Sequence, residues 1–269
     1  MDTIRARIFL RLAVLIGCSI FGACAGENES PPVQAAAKEA SKSSLSVLPT
    51  GQAAYTFEAD PPVEYLLYRP AHYWEDPKRK WPLIIYLHGT ADRGEDPELV
   101  RRDGMARLVE DMGHFPFIVL SPQIPTTLNT DNLIAVFESY QQLLAQIVAT
   151  HTVDPDRIYL TGLSLGGYLT WVWASLVPNQ FAAIAPICAG GARGGGLTSE
   201  RLCLLKELPI WTFHGEQDQV VPAVATREKV EALRACGGQV KFTLYPGVGH
   251  NAWTRTYHNP ELFAWLMLS

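Results

Sequence analysis

From about residue 51 onward the apolar positions follow two alternating patterns. Short β-rich runs at 55–58, 64–68, 83–87, 117–120, 158–161, 183–186, 210–213 and 241–245 predict eight strands. Several are apolar throughout, as strands covered on both faces are. Between them, helical spacing predicts helices near 105–112, 132–150, 165–176, 223–235 and 260–268. Pro178 stops the third, and Asp154-Pro155-Asp156 marks the turn into the strand at 158–161. Strand–helix alternation implies right-handed crossovers and an α/β fold with a mostly parallel sheet. There is no internal repeat.

Before residue 51 that pattern is missing. Arg5, Arg7 and Arg11 precede an apolar run over residues 12–23, which is too short for a membrane span but has the form of a signal-peptide core. The run ends at Phe21-Gly22-Ala23-Cys24. Small residues before a cysteine resemble a bacterial lipoprotein signal, although Phe21 stands where leucine is usual. Cys24 is the expected lipidation position. Cys18, at the end of Leu15-Ile16-Gly17, has a much shorter apolar run before it, and a plain secretory cut near Ala23 or Ala25 is the third reading. Residues 25–50 are rich in Ser, Ala, Glu, Lys and Pro, with few large apolar side chains. Such a stretch buries too little surface to offset its conformational entropy. The expected organisation is a signal peptide (1–23), a flexible tether (24–50) and one folded domain (51–269), exported to the periplasm or cell surface.

Composition narrows the function. With 48% hydrophobic and 18% charged residues, the chain suits a globular domain and excludes a disordered chain or coiled coil. Its formal net charge of −5 lacks the basic footprint of a nucleic-acid binder. Loss of residues 1–23 removes three Arg and one Asp, leaving 19 basic against 26 acidic residues and a net −7. The one tight basic cluster, Lys78-Arg79-Lys80, reads as a solvated turn before a strand. The glycine-rich stretch from Gly190 to Gly196 has neither GxGxxG nor a Walker lysine, and no His, Cys or Glu spacing suggests zinc. No cofactor or metal is expected.

Candidate chemistry begins at Gly162-Leu163-Ser164-Leu165-Gly166, between a strand and an apolar helix. This GxSxG pattern is weak alone. In a strand–turn–helix setting it describes a nucleophile elbow, whose tight turn needs small residues around the serine. The helix N-terminus that follows favours negative charge nearby.

The order nucleophile, acid, histidine then restricts the partners. Asp218 is the single aspartate after Ser164, just past the strand at 210–213, where catalytic groups sit in open α/β sheets. Glu216 is the reserve acid. His214 precedes Asp218 and suits a structural or supporting role. Of the two later histidines, His250 follows a strand through the flexible Pro246-Gly247-Val248-Gly249, whereas His258 precedes Asn259-Pro260 and reads as a capping-turn residue. His250 is therefore the expected base.

An oxyanion hole needs two backbone N–H groups. Leu165, after the nucleophile, supplies one, and the loop His88-Gly89-Thr90 supplies the other, from Thr90 or else Gly89. His88 reads as a turn residue bonding neighbouring loops. Trp253 either lines the substrate cleft or packs on the last helix, and Arg93 either orders its loop or meets substrate.

From about residue 64 onward the chain resembles the α/β-hydrolase superfamily. It is closely similar to bacterial secreted or lipid-anchored carboxylesterases related to dienelactone hydrolase, polyhydroxybutyrate depolymerase and feruloyl esterase, a group often labelled predicted peptidase or phospholipase/carboxylesterase. The stretches that carry the likeness are 83–94 (LIIYLHGTADRG), 117–122 (FIVLSP), 154–167 (DPDRIYLTGLSLGG), 181–188 (FAAIAPIC), 211–222 (WTFHGEQDQVVP) and 245–253 (YPGVGHNAW). The resemblance implies an eight-stranded sheet with helices on both faces, and Ser164 as nucleophile, Asp218 as acid and His250 as base. Thr90 replaces a common alanine and Leu165 a common methionine. Relatives also carry cysteines near Cys188 and Cys203, which implies a Cys188–Cys203 disulfide around the glycine-rich loop; three free thiols, including Cys236, are the alternative.

Interfacial lipases carry a helical cap, commonly after the sixth core strand. Here that connection has room for one short crossover helix, so no large cap and an open cleft are expected. The expected reaction is hydrolysis of carboxylic esters, short-chain, aryl or polysaccharide-linked, through an acyl-enzyme. A serine peptidase on short peptides and a non-catalytic surface-anchored binding protein are the alternatives. The substrate is a small-molecule or polymer-linked ester, and membrane contact is expected only through the lipid anchor.

Overall fold

The computed structural model describes residues 49–190 and 197–269. Cys18, Cys24, the rest of the expected leader and nearly all of the tether lie outside the described residues, as do residues 191–196 of the glycine-rich stretch.

All eight strands expected from the sequence form one sheet. They are β1 (Gly51–Phe57), β2 (Val63–Arg69), β3 (Trp81–Leu87), β4 (Ile118–Pro122), β5 (Val153–Leu163), β6 (Ala183–Ile187), β7 (Ile210–Gly215) and β8 (Val240–Tyr245). Their order is β1-β2-β4-β3-β5-β6-β7-β8. Strand β2 runs antiparallel to β1 and β4, and every other pairing is parallel. This is the α/β-hydrolase fold.

The central strands are apolar throughout because they serve two cores. In β3, Leu83, Ile85 and Leu87 enter one cluster, while Ile84 and Tyr86 enter the other. That alternation is the two-residue period of a pleated strand. Helices α2 (Leu133–Thr150), α3 (Leu165–Leu176), α4 (Ser199–Cys203) and α5 (Val224–Ala235) cover the first face. Helices α1 (Gly104–Asp111), α6 (Trp253–Tyr257) and α7 (Pro260–Leu268) cover the second.

Two local readings change. Asp154-Pro155-Asp156 is not a turn ahead of β5 but lies inside it, where the register shifts: Val153 pairs with Trp81 and Ile158 with Leu83. Helix α6 was not expected; at five residues it is too short to show a periodic pattern. His258 ends it, with Nδ1 2.7 Å from the Thr254 carbonyl, while Asn259 caps α7 by accepting the Glu261 N–H at 3.1 Å.

The disulfide is corrected as well. Cys203 pairs with Cys236, Cα to Cα 5.7 Å, and Cys188 is a free, buried thiol. Helices α4 and α5 pack on the same face, so the end of one meets the end of the other although the cysteines lie 33 positions apart. Cys188 faces the elbow instead. Among the described residues, the connection from β6 to β7 holds only α4, and no large inserted cap is present. No helix of the described residues is long and apolar enough to cross a membrane.

Candidate active site

Ser164 stands between the end of β5 and the start of α3, with φ 53° and ψ −114°. A non-glycine residue holds such a conformation only where its surroundings fix it. Here its N–H donates to the Ile187 carbonyl at 3.0 Å and lies 3.3 Å from the Cys188 sulfur. The flanking glycines are steric necessities. A Cβ on Gly162 would sit 2.5 Å from the Gly166 carbonyl oxygen, and one on Gly166 would sit 1.9 Å from that of Leu87. The chain turns so tightly that positions 162 and 166 leave no room for a side chain.

Asp218 and His250 come from the turns after β7 and β8. A Cβ on Gly215 would meet the Gly249 oxygen at 2.0 Å, so the two segments touch backbone to backbone. Glu216 N donates to Tyr245 O at 3.0 Å and Gln217 N to Val248 O at 2.8 Å. The glycine-containing loop before His250 is thus pinned rather than loose.

These elements bring the three expected residues together. His250 Nε2 lies 3.0 Å from Ser164 Oγ, and His250 Nδ1 lies 2.7 Å from Asp218 Oδ2. Asp218 Oδ1 accepts the N–H groups of Val220 and Val221 at 2.9 and 2.8 Å. Burial pushes the Asp218 carboxyl up, but the bonds from His250, Val221 and Val220 outweigh it and hold it below the ordinary aspartate value. The acid is therefore ionised at neutral pH. Glu216, the reserve acid, is exposed and takes no part.

Other expected residues find defined places. Leu165 opens α3, where first-turn N–H groups have no partner within the helix. Thr90 opens a 3-10 turn (Thr90–Asp92) behind Gly89, and a Cβ on Gly89 would lie 2.7 Å from Leu163 Cδ1 and 3.9 Å from Ser164 Cβ. The loop after β3 therefore abuts the elbow. His88 is fully buried, with Nε2 accepting the Ile124 N–H at 2.8 Å and Nδ1 2.8 Å from Gly89 O. Burial lowers its pKa to about 4 and keeps it neutral. Arg93 is a loop anchor: its guanidinium donates to the carbonyls of Pro125, Thr126 and Leu128.

Trp253 is half-buried beside the base, its ring edge-on to His250 at 5.5 Å between centroids. Its Nε1 donates to Asp103 Oδ2 at 2.8 Å. Asp103 escaped the sequence reading. Its place before a helical run signals an N-cap, but nothing in the sequence connects it with a tryptophan 150 positions away. Cys188 escaped as well. It is buried under the elbow at φ 43°, and burial pushes its thiol well up. Among the described residues no group of three or more His, Cys, Asp or Glu could hold a metal ion.

Residues 129–261 match the Phospholipase/Carboxylesterase family model. The chain is similar to poly(3-hydroxyalkanoate) depolymerase C of Paucimonas lemoignei, 29% identical over 136 residues, which cover 46% of this chain and 31% of the depolymerase. It is also similar to acyl-protein thioesterase 1 of Gibberella zeae, 25% identical over 219 residues, covering 67% of this chain and 88% of that one. Among solved structures, a thermostable esterase superposes with a TM-score of 0.67 at 31% identity, over 81% of this chain and 62% of the esterase. The chain thus spans about a third of the depolymerase and under two thirds of the esterase. It is related to several esterase and depolymerase families of the α/β-hydrolase superfamily, not to one alone.

Proposed function

We propose that this α/β-hydrolase-fold chain is a carboxylesterase that works through an acyl-enzyme on Ser164. One observation carries the reading: His250 reaches Ser164 Oγ at 3.0 Å with one ring nitrogen and Asp218 at 2.7 Å with the other. That geometry belongs to a serine-hydrolase triad.

Neutral His250 takes the Ser164 proton on Nε2 as Oγ bonds to the ester carbonyl carbon, and the carbonyl pair moves onto oxygen. Asp218 fixes the Nδ1–H tautomer and stabilises the imidazolium. Collapse expels the alcohol, which receives the Nε2 proton. Water then repeats the sequence and releases the acid. The backbone N–H groups of Thr90 and Leu165 hold the oxyanion, supported by the contact of Gly89 with the elbow and by the position of Leu165 at the start of α3. One such donor is worth about 2.7–4 kcal/mol of barrier. Trp253 forms a wall of the substrate site, supported by its contact with His250.

The favoured substrates are short-chain, aryl or polysaccharide-linked esters. Without a large cap, little enclosed apolar wall is left for a long acyl chain. The finer kinship, with secreted or lipid-anchored bacterial carboxylesterases, rests on the basic residues and apolar run ahead of Cys24. On this reading the enzyme works outside the cytoplasm, held by a lipid on Cys24. Globomycin-sensitive processing with a lipid mass on Cys24 tests that anchor, and an unmodified, freely secreted chain overturns it.

A fluorophosphonate probe tests the activity. Wild-type protein should be labelled and Ser164→Ala should not. A panel of aryl, acetyl-sugar, feruloyl and peptide substrates then fixes the class: turnover of peptides alone would make the chain a peptidase, and absence of labelling would make it a binding protein.

A further inference from the structure

His214 is buried completely at the end of β7, beside the triad but outside the mechanism above. Its Nε2 faces two acceptors, the Val221 carbonyl at 2.8 Å and Asp218 Oδ2 at 3.1 Å. Its Nδ1 faces the Thr226 hydroxyl of α5 at 2.8 Å. Burial lowers its pKa, the Val221 carbonyl and Asp218 oppose that, and nearby His250 adds to it, so the ring is neutral.

A neutral imidazole has one N–H, and the partners decide where it sits. Carbonyl and carboxylate oxygens accept only, so Nε2 carries the proton and donates to both. Nδ1 must then accept from Thr226. That hydroxyl has a single proton and a second acceptor, the Ala189 carbonyl, at the longer distance of 3.3 Å. Ala189 O in turn receives Lys229 Nζ at 3.5 Å, and Lys229 also donates to Ala225 O at 2.9 Å. The titratable groups facing this ring are thus Asp218 and His250, with Lys229 one carbonyl away.

We propose that His214 is a positioning residue for the catalytic pair: its Nε2–H grips the same Asp218 oxygen that receives His250, with Thr226 fixing its tautomer. The inference rests on the hydrolase reading. Asp218 then has both oxygens doubly engaged, Oδ1 by two backbone N–H groups and Oδ2 by two imidazoles. The carboxylate cannot rotate away from the base. The second donor also draws charge from Oδ2, so Asp218 holds the His250 imidazolium less tightly than a singly bonded carboxylate would.

The test compares wild type with His214→Phe, His214→Gln and Thr226→Val. The His250 imidazole is titrated by 15N NMR, and kcat and KM are measured on p-nitrophenyl acetate. His214→Phe removes the donor, so the His250 midpoint should rise by roughly half a pH unit or more, a part of what one hydrogen bond to a charged group is worth. Its kcat should fall about tenfold with KM little changed, the pattern of an interaction that matters in the transition state. Gln places an amide N–H near the ring Nε2 and should restore midpoint and kcat to within about threefold of wild type, a rescue that space-filling alone does not give. Thr226→Val should shift both readouts the same way, less strongly. A folded His214→Phe with wild-type midpoint and kcat would overturn the proposal, as would a Gln variant as impaired as Phe. Should His214→Phe fail to fold, unchanged values in Thr226→Val overturn it. The NMR midpoint needs no turnover, so a chain that hydrolyses no ester would end the hydrolase reading while this coupling is still measured.

Discussion

The indole N–H of Trp253 donates to the Asp103 carboxylate at 2.8 Å while its ring stands edge-on to His250. One bond thus ties the helix after the base to the start of α1, where Asp103 also accepts the Gly104 N–H at 2.7 Å. Trp253→Phe keeps a ring beside His250 but loses the bond. It should lower kcat/KM severalfold and cost on the order of 1 kcal/mol of stability. Asp103→Ala removes the helix cap as well, so its cost should be larger, about 1–2 kcal/mol more. Urea unfolding of the two variants checks the order, and equal stabilities would show that the indole bond alone matters.

Loss of a triad member should be severe and specific. Ser164→Ala and His250→Ala should each lower kcat by at least about 10³-fold, because the residues act as a unit. Asp218→Asn should lose about 10⁴-fold through the wrong histidine tautomer. His258, exposed at the end of α6, should tolerate alanine with little change. Comparable kinetic losses at His250 and His258 would remove His250 from its role.

Peptide mapping without reduction should recover Cys203 joined to Cys236. Cys188 should resist alkylation until the protein unfolds, because it is buried and its thiolate is disfavoured. Replacing Cys203 and Cys236 with serine frees a loop of 33 residues. Chain entropy alone then predicts a loss of roughly 3–4 kcal/mol. A Cys188-containing bridge in the map would contradict this pairing.

Acid should weaken the fold well above the carboxylate range. His88 and His151 both have their pKa lowered to about 4, chiefly by burial and, for His151, by Arg69. Unfolded histidine titrates near 6.5. As pH falls from about 6.5 to 4, the unfolded chain takes up protons that the folded chain refuses, so stability falls across that window. His88 contributes up to about 1.4 kcal/mol per pH unit, and His151, less enclosed, contributes less. Asp218 and Asp154, whose carboxyls lie below the ordinary value, lose their contribution only as pH falls further, through their folded values. Urea midpoints at pH 7, 6 and 5 should already decline, and a flat series would refute the histidine account.

Chain-length preference tests the open cleft. Each CH₂ left unburied forfeits roughly 0.8 kcal/mol. Highest kcat/KM is expected on about C2–C4 aryl esters, with no jump in rate when substrate forms droplets. Preference for C12–C16 esters would mean a closing wall, and residues 94–113, which hold α1, are the segment best placed to supply it.

Much of this architecture is written locally in the chain. The runs of β3, β4 and β5 are apolar on both faces because each strand serves two cores, a demand that shows in any stretch of sequence. The elbow is legible for a similar reason: its glycines answer clashes within a few residues and with the neighbouring strand. Chain order then left one aspartate for the acid, and it is the one that meets His250. Tertiary packing decided the rest. Cys203 finds Cys236 only because α4 and α5 share a face, and the nearer Cys188 is turned under Ser164 by the close of β6. Trp253 meets Asp103, and His214 at the end of β7 meets both Asp218 and Thr226, through contacts among strand ends, turns and helices that no spacing records. Local sequence carries periodicity and turn chemistry, but which side chains share a hydrogen bond depends on how separate elements dock.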